Sequence, residues 1–83
     1  MPYKVGFSHL AARQLKKLSR PYQEQVASIV HILANDPRPR GCKTLNGRPE
    51  YRVRSGNLRV LYLINDGALI VEIMTVADRK ESY

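Results

Sequence analysis

The sequence has 83 residues, which is enough for one domain, residues 1–83, and too few for two. Its hydrophobic share of 43% and charged share of 25% are ordinary for a globular protein and argue against disorder. A formal net charge of +7 favours a polyanionic partner, namely nucleic acid, an acidic protein or an anionic membrane surface.

The first predicted element is an N-terminal strand, in which Tyr3, Val5 and Phe7 alternate with polar or small residues. Ser8 can cap a helix over residues 9–18. The apolar stripe of this helix consists of Ala11, Ala12, Leu15 and Leu18. Its basic residues form either a solvated face or a surface that binds a nucleic-acid backbone, and they are Arg13, Lys16, Lys17 and Arg20.

A second helix is predicted after the break at Ser19-Arg20-Pro21, because proline suits the first turn of a helix. The apolar residues of this helix follow the i, i+3, i+4, i+7 pattern, at Val26, Ile29, Val30 and Leu33. Asn35-Asp36-Pro37 ends it, and residues 36–42 have the composition of a loop. The two helices are predicted to form an antiparallel hairpin.

The rest of the chain predicts strands rich in Val, Ile, Leu and Tyr, over residues 43–45, 50–55, 58–64 and 68–77. Gly56-Asn57 and Asp66-Gly67 are credible two-residue hairpin turns between the last three. The predicted fold class is therefore α+β. It comprises an N-terminal strand, an antiparallel helix hairpin and a three- to four-stranded antiparallel sheet with the helices packed on one face.

Two-residue turns fix the register of both hairpins, and side chains alternate between the two faces of the sheet. In the first hairpin Arg54 faces Arg59, Val53 faces Val60 and Arg52 faces Leu61. In the second, Leu61 faces Glu72 and Arg59 faces Met74. The predicted core face holds Tyr51, Val53, Val60, Tyr62, Ile64, Leu69, Val71 and Ile73. The second face holds Arg52, Arg54, Arg59, Leu61, Leu63, Ile70, Glu72, Met74 and Val76.

This second face is cationic at one end and apolar at the other, which is unusual for a lone domain. We expect a partner protein to cover the apolar end; the N-terminal strand or the loop over residues 36–49 is the alternative. At the cationic end, like charges directly across a strand pair are destabilising, so the arginine cluster indicates an anionic ligand. Arginine offers a planar fork that binds phosphate bidentately.

Three arginines on one face can bind a phosphodiester and stabilise the charge of a pentavalent transition state. Arg79 and Tyr83 follow the last strand and can fold back toward the same face. The scarcity of carboxylates in the sheet argues against a metal-dependent nuclease, so the ribose 2′-hydroxyl would attack the adjacent phosphate.

Cysteine and histidine add no chemistry to this prediction. The single cysteine, Cys42, cannot form an internal disulfide, and we interpret it as a bystander. No Cys/His spacing predicts zinc, and we expect no metal and no cofactor. His9 and His31 fall on the helices and are expected to be structural or exposed. The N-terminus lacks a signal-peptide core and no apolar run is long enough to span a membrane, so a cytoplasmic location is expected.

The order and spacing of several segments resemble the RelE/ParE toxin superfamily of toxin–antitoxin systems. The opening Tyr3-Lys-Val-Gly-Phe7 and the helix with Ala12-Arg13-Gln-Leu15-Lys-Lys-Leu18 are similar to the start of the family. Lys43 to Arg54 matches its central "L-x-G … Y-x-[IV]-[KR]" pattern, and Leu58-Arg59-Val60-Leu61-Tyr62 matches its "[YL]-R-[LV]-x-Y" strand. The end, Val76 to Tyr83, resembles its terminal "V-x-H-R-x-x-x-Y".

The resemblance implies a RelE-type, metal-independent endoribonuclease that cuts mRNA in the ribosomal A site. The catalytic residues that it implies are Arg52, Arg54, Arg59, Arg79 and Tyr83. We add Lys43, Arg48 and Lys80 as RNA-binding residues. Implied partners are a cognate antitoxin, the ribosome and mRNA, with operator DNA bound only through the antitoxin and no membrane.

Two departures from the family leave the general base open. Arg52 and Arg54 stand where relatives commonly carry lysine, and arginine hardly ever loses its proton. Asp78 stands where many relatives have histidine. Asp78, Tyr83, Glu50 or the ribosome itself can fill the role. Two other functions also stay open: a ParE-type inhibitor of DNA gyrase, and a catalytically weak module that binds only antitoxin and nucleic acid.

Overall fold

The helices and strands follow one another in the order that the sequence predicts, in a computed structural model that describes residues 2–78. Two helices cover one face of a five-stranded sheet. The elements are β1 (Lys4–Phe7), α1 (His9–Lys17), α2 (Arg20–Asn35), β2 (Lys43–Thr44), β3 (Tyr51–Ser55), β4 (Leu58–Asn65) and β5 (Ile70–Asp78). The predicted α+β fold is confirmed.

Both helices begin where local chemistry favours a start. Ser8 is the N-cap of α1, and its hydroxyl oxygen accepts a hydrogen bond from the Ala11 backbone N–H at 3.0 Å. Pro21 lies in the first turn of α2, where a missing N–H costs nothing. Among the described residues, no helix is long and apolar enough to cross a membrane.

The sheet is mixed rather than purely antiparallel, with strand order β1-β5-β4-β3-β2. β1 runs parallel to β5 and is held by backbone hydrogen bonds from Lys4 N to Leu69 O at 2.8 Å and from Ser8 N to Ile73 O at 2.9 Å. The N-terminal strand therefore joins the sheet as its fifth strand. This parallel pairing is a long-range contact that the local alternation of β1 does not encode.

The first hairpin has the predicted register. Arg54 faces Arg59, Val53 faces Val60 and Arg52 faces Leu61, because Gly56-Asn57 forms a two-residue turn. Gly56 adopts a φ of 59°, which glycine reaches without the steric cost of a Cβ atom.

The predicted register of the second hairpin is wrong. Asn65 pairs with Ile70, so the loop holds the four residues 66–69 instead of Asp66-Gly67 alone. The Asn65 side-chain oxygen accepts a hydrogen bond from the Ala68 N–H at 3.0 Å, and Leu69 takes a left-handed φ of 55°. This local hydrogen bonding outcompetes the tighter turn. The shift is two residues, so each side chain of this part of the sheet keeps its predicted face.

A β-bulge at Met74 then shifts the register by one more residue. Leu61 faces Thr75 and Arg59 faces Ala77, where Glu72 and Met74 were predicted. Beyond the bulge the faces exchange, so Val76 lies in the core with 1% of its surface exposed instead of on the second face.

Side chains of α1 satisfy the backbone groups at this bulge. The Ser8 hydroxyl donates to the Met74 carbonyl at 2.8 Å. The Val76 N–H donates to the Gln14 side-chain oxygen at 2.7 Å. Since both partners come from α1, the helix and the irregular strand fix each other's position.

The core lies between the helices and the predicted core face. Its fully buried members are Ala11, Val26, Leu33, Leu58, Val60, Tyr62, Val71, Ile73 and Val76. Tyr62 is the largest of them, and its hydroxyl donates to the Pro37 carbonyl at 2.8 Å. Its ring stacks on Tyr51 with 5.8 Å between centroids. Burial raises the pKa of Tyr62 above its usual range.

A polar cluster fastens the loop over residues 36–42 to the same side of the sheet. Arg38 donates to both carboxylate oxygens of Asp66, at 3.2 and 2.9 Å, and its guanidinium carbon lies 5.3 Å from the centre of the Tyr51 ring. The Tyr3 hydroxyl donates to Asp66 at 2.6 Å. Arg38 first, and Tyr3 second, lower the pKa of Asp66 to about 2.

This placement bears on the alternative cover for the second face, namely the N-terminal strand or the loop over residues 36–49. The loop binds on the helix side, and β1 and β2 extend the sheet at its two edges. Within residues 2–78, therefore, neither the N-terminal strand nor this loop lies over the second face.

Candidate functional site

The candidate site is the cationic end of the second face, where three strands bring four basic residues together. Arg54 and Arg59 are cross-strand partners, as are Lys43 and Arg52. Side-chain alternation along β3 places Arg52 and Arg54 on the same face. We call the set Lys43, Arg52, Arg54 and Arg59 the basic face.

These residues differ in how far they reach into solvent. Lys43 and Arg54 are exposed, whereas Arg52 and Arg59 are half-buried. A small cavity of about 30 Å³ lies at the end of the hairpin, lined by Arg54, Gly56, Asn57, Leu58 and Arg59. The ion pairs between described residues join Arg38 to Asp66 and Arg48 to Glu50, so none of them neutralises the basic face.

The other predicted site residues have different surroundings. Arg48 lies in the turn before β3, where its Nη2 donates to Glu50 Oε2 at 3.3 Å. Arg79, Lys80 and Tyr83 lie outside the described residues. Their predicted roles stay predictions.

The register separates the candidate bases. Asp78 faces Leu58, a core residue, and is itself buried, whereas Arg59 faces Ala77 on the other side of the sheet. Asp78 therefore lies on the helix side. Glu50 precedes β3 directly, and its backbone carbonyl accepts a hydrogen bond from the Leu45 N–H at 3.3 Å.

The remaining predicted bystanders lie away from this face. His9 and His31 are exposed on α1 and α2. Cys42 is half-buried at the end of the loop that packs near Tyr62. Among residues 2–78, no three His, Cys, Asp or Glu side chains converge to hold a metal ion.

Sequence reasoning did not predict that Arg40 would lie close to β3. Arg40 and Arg54 line one groove of about 210 Å³, together with Ile29, Ile32, Leu33, Pro39 and Val53. Ile32 is 49% exposed there. The basic composition of the loop was visible in the sequence, but its approach to β3 was not.

The apolar end of the second face is open. Leu61 and Leu63 are half-buried, and Ile70 is 42% exposed. A cleft of about 460 Å³ lies beside them, lined by Leu63, Ile64, Asn65, Asp66, Ile70 and Glu72. Contiguous exposed apolar surface of this kind marks a site for a partner.

A second apolar groove lies between the helices and β1. It measures about 270 Å³ and is lined by Phe7, Leu15, Gln23, Val26, Ala27 and Val30. Four basic residues predicted on the first helix are exposed. The structure places Arg13, Lys16 and Lys17 on α1, and Arg20 at the start of α2. This half of the molecule combines positive charge with apolar surface.

Comparison with known proteins shows similarity over nearly the whole chain. Residues 5–83 match the family model described as the ParE toxin of a type II toxin–antitoxin system, parDE. The chain is 37% identical, over 87 aligned positions, to Toxin RelE of Mycobacterium tuberculosis, covering 99% of this chain and 87% of that relative.

Two solved structures with the same fold come from toxin–antitoxin complexes. A chain of the RelBE2 toxin–antitoxin complex of Mycobacterium tuberculosis superposes with a TM-score of 0.88 at 31% identity, covering 98% of this chain and 95% of that one. A chain of the RelE–RelB complex of Pyrococcus horikoshii gives a TM-score of 0.83 at 25% identity, with 98% and 99% covered.

Proposed function

The chain belongs to the ParE toxin family of type II toxin–antitoxin systems, within the RelE/ParE superfamily, and we propose that it acts as a RelE-type endoribonuclease. In this proposal it cleaves mRNA in the ribosomal A site, in the cytoplasm, without a metal ion. The observation that carries the proposal is the cross-strand pairing of Arg54 with Arg59 within the basic face.

The basic face suits a phosphodiester because its charges are fixed in place before the substrate arrives. Guanidinium groups stay protonated at any relevant pH and donate to two phosphate oxygens at once. A transition state with five bonds to phosphorus carries more negative charge on its oxygens than the ground state does. Cations held at that position therefore lower the barrier. Each well-placed donor typically raises the rate by about 10²- to 10³-fold.

The proposed reaction uses the RNA itself as the nucleophile. The ribose 2′-oxygen gives its proton to a general base and bonds to phosphorus, and the bond from phosphorus to the 5′-oxygen breaks. The products are a 2′,3′-cyclic phosphate and a 5′-hydroxyl, with the proton of the latter supplied by water. Arg52, Arg54 and Arg59 hold the phosphate, Lys43 and Lys80 bind the adjacent backbone, and Arg79 and Tyr83 are proposed to close the site.

Similarity to RelE toxins supports the choice of mRNA as the proposed substrate. The curated relative at 37% identity is named a RelE toxin, and the structural neighbours at 31% and 25% identity are RelE-type toxins. Ribosome dependence also fits a basic face with no histidine among its four residues, because the ribosome can position the RNA.

The test is cleavage of mRNA on programmed ribosomes, mapped by primer extension. Codon-phased cuts that stop when a 2′-deoxynucleotide replaces the attacking ribose are the expected result. Absence of any cut, while a control RelE toxin cuts the same ribosomes, would count against the proposal.

Inhibition of DNA gyrase is the second candidate, since the matching family model is that of ParE toxins. The fold does not separate the two activities. A supercoiling assay separates them. Inhibition of gyrase at stoichiometric protein, together with intact mRNA on ribosomes, would reverse the choice. A protein that binds antitoxin but leaves growth unaffected would be a catalytically weak binding module.

A cognate antitoxin is the proposed protein partner, and operator DNA would be bound only through it. The two structural neighbours described above come from toxin–antitoxin complexes. Two surfaces suit an acidic, amphipathic segment that orders on binding: the open apolar end of the second face, and α1 with its basic residues. Substitution of Ile70 by Lys is expected to weaken antitoxin binding without affecting the basic face.

A further inference from the structure

Glu50 shares the side of the sheet that carries the basic face. The hydrogen bond from Leu45 N to Glu50 O continues the register in which Lys43 faces Arg52 and Thr44 faces Tyr51. The alternation of β3 therefore extends to Glu50, which lies two residues from Arg52. Two residues of a strand span about 6.6 Å, so the carboxylate is a close neighbour of the arginines.

The carboxylate is sheltered yet only loosely held. Its side chain is 19% exposed, and its Oε1 is buried from solvent without a hydrogen-bond partner among the described residues. Arg48 Nε lies 3.3 Å from this oxygen, outside hydrogen-bond geometry. The bond from Arg48 Nη2 to Oε2 is also 3.3 Å, which is long for a charge-assisted contact of about 2.7–2.9 Å. Arg48 therefore lies against both carboxylate oxygens, but neither contact is a short charge-assisted bond.

Other carboxylates of the described sheet region are worse placed. Glu72 shares the face but is exposed in the apolar half, between Gly6 and Leu63. Asp66 is bound by Arg38 and Tyr3. Asp78 lies on the helix side. Glu50 is therefore the carboxylate that accompanies the basic face.

We infer that Glu50 is the general base of the reaction, an inference that rests on the proposed endoribonuclease function. The Glu50 carboxylate accepts the proton of the 2′-hydroxyl while the 2′-oxygen bonds to phosphorus. The electron pair of the broken phosphorus–oxygen bond leaves with the 5′-oxygen, which takes a proton from water. Arg48 is a positioning residue that holds the carboxylate.

The test compares single-turnover cleavage on programmed ribosomes by wild type, Glu50→Gln and Glu50→Ala. Loss of a general base is expected to slow cleavage by about 10²- to 10⁴-fold while binding to ribosomes, measured by co-sedimentation, is unchanged. Glu50→Asp should retain part of the rate. Glu72→Gln removes a carboxylate from the same face and should cleave like wild type.

Chemical rescue distinguishes a base from a structural residue. Added formate should restore cleavage by Glu50→Ala in proportion to its concentration, and chloride at equal ionic strength should not. Wild-type rates in Glu50→Gln, or a slow Glu50→Ala that formate does not rescue, would overturn the role of Glu50 while the endoribonuclease function stands. A wild type that cleaves nothing would overturn both.

Discussion

Arg54 lies directly opposite Arg59 across the β3–β4 hairpin. Two guanidinium groups in this position repel each other and lower the stability of the free protein, whereas a bound phosphate relieves the repulsion. The pair therefore couples the folding stability of the domain to its ligand.

Replacing Arg54 or Arg59 should stabilise the free protein, although the replacement removes part of the basic face. We expect Arg54→Ala to raise the free energy of unfolding by about 0.2–1 kcal/mol, because it removes the cross-strand repulsion. Thermal melting should show a midpoint a few degrees higher. Lys16→Ala, which removes an exposed cation of α1, is the matched control and should leave the midpoint unchanged. A lower midpoint in Arg54→Ala would show that the pair is stabilising.

Anions should stabilise the wild type more than the variant. Binding to the native state alone raises the midpoint as the ligand concentration rises above Kd. A short single-stranded RNA is therefore expected to raise the melting temperature of wild type, and to have a much smaller effect on Arg54→Ala. Equal shifts in both proteins would place the RNA somewhere other than the basic face.

Tyr62 should be the most sensitive polar position of the core. Tyr62→Phe leaves the Pro37 carbonyl without its hydrogen bond, and we expect a loss of about 1–3 kcal/mol in urea unfolding. Tyr22→Phe is the control, because its half-buried hydroxyl accepts only a long bond of 3.5 Å from Asn57. Equal losses for both variants would mean that the Tyr62 bond adds nothing specific.

The ion pair of Arg38 with Asp66 should appear in the acid stability of the protein. The pKa of Asp66 is lowered from 3.8 to about 2 in the folded state, so the stabilisation is present above pH 4. It is lost as the pH falls from about 4 toward 2. The free energy of unfolding should therefore fall more steeply with decreasing pH for wild type than for Asp66→Asn. The same pH dependence of the free energy of unfolding in both proteins would show that the Arg38–Asp66 ion pair does not contribute.

Ser8 should matter more than an ordinary helix cap. Ser8→Ala removes both the cap of α1 and the hydrogen bond to the Met74 carbonyl at the bulge. Loss of a cap alone costs about 0.5–2 kcal/mol, and we expect a larger loss here. Ser28→Ala removes a hydroxyl that bonds only to the Glu24 carbonyl on an exposed helical face, so its effect should be small.

The two hairpins show what the sequence can and cannot predict. Gly56 provides the left-handed backbone of a two-residue turn, so the first register, and with it the arginine pairing, follows from local chemistry. The second turn depends on a side-chain hydrogen bond of Asn65 and on a left-handed backbone conformation at Leu69. Leucine does not favour that conformation. The bulge depends on Ser8 and Gln14, more than sixty residues away in the chain.

The candidate site divides in the same way. Its charges were predictable because alternation along a strand fixes which arginines share a face. Other features depend on the conformation of the loops and on the register shifts of the strands, which local sequence does not determine. These features are the ion pair of Arg48 with Glu50, the groove beside Arg40 and the position of Asp78 on the helix side.

The central claim is that the basic face holds the scissile phosphate. Its most direct test is the single-turnover rate of mRNA cleavage on programmed ribosomes for wild type, Arg59→Ala and the control Lys16→Ala. The account predicts that Arg59→Ala slows cleavage by about 10²- to 10³-fold with its fold intact by circular dichroism, while Lys16→Ala cleaves like wild type. Undiminished cleavage by a folded Arg59→Ala would contradict it.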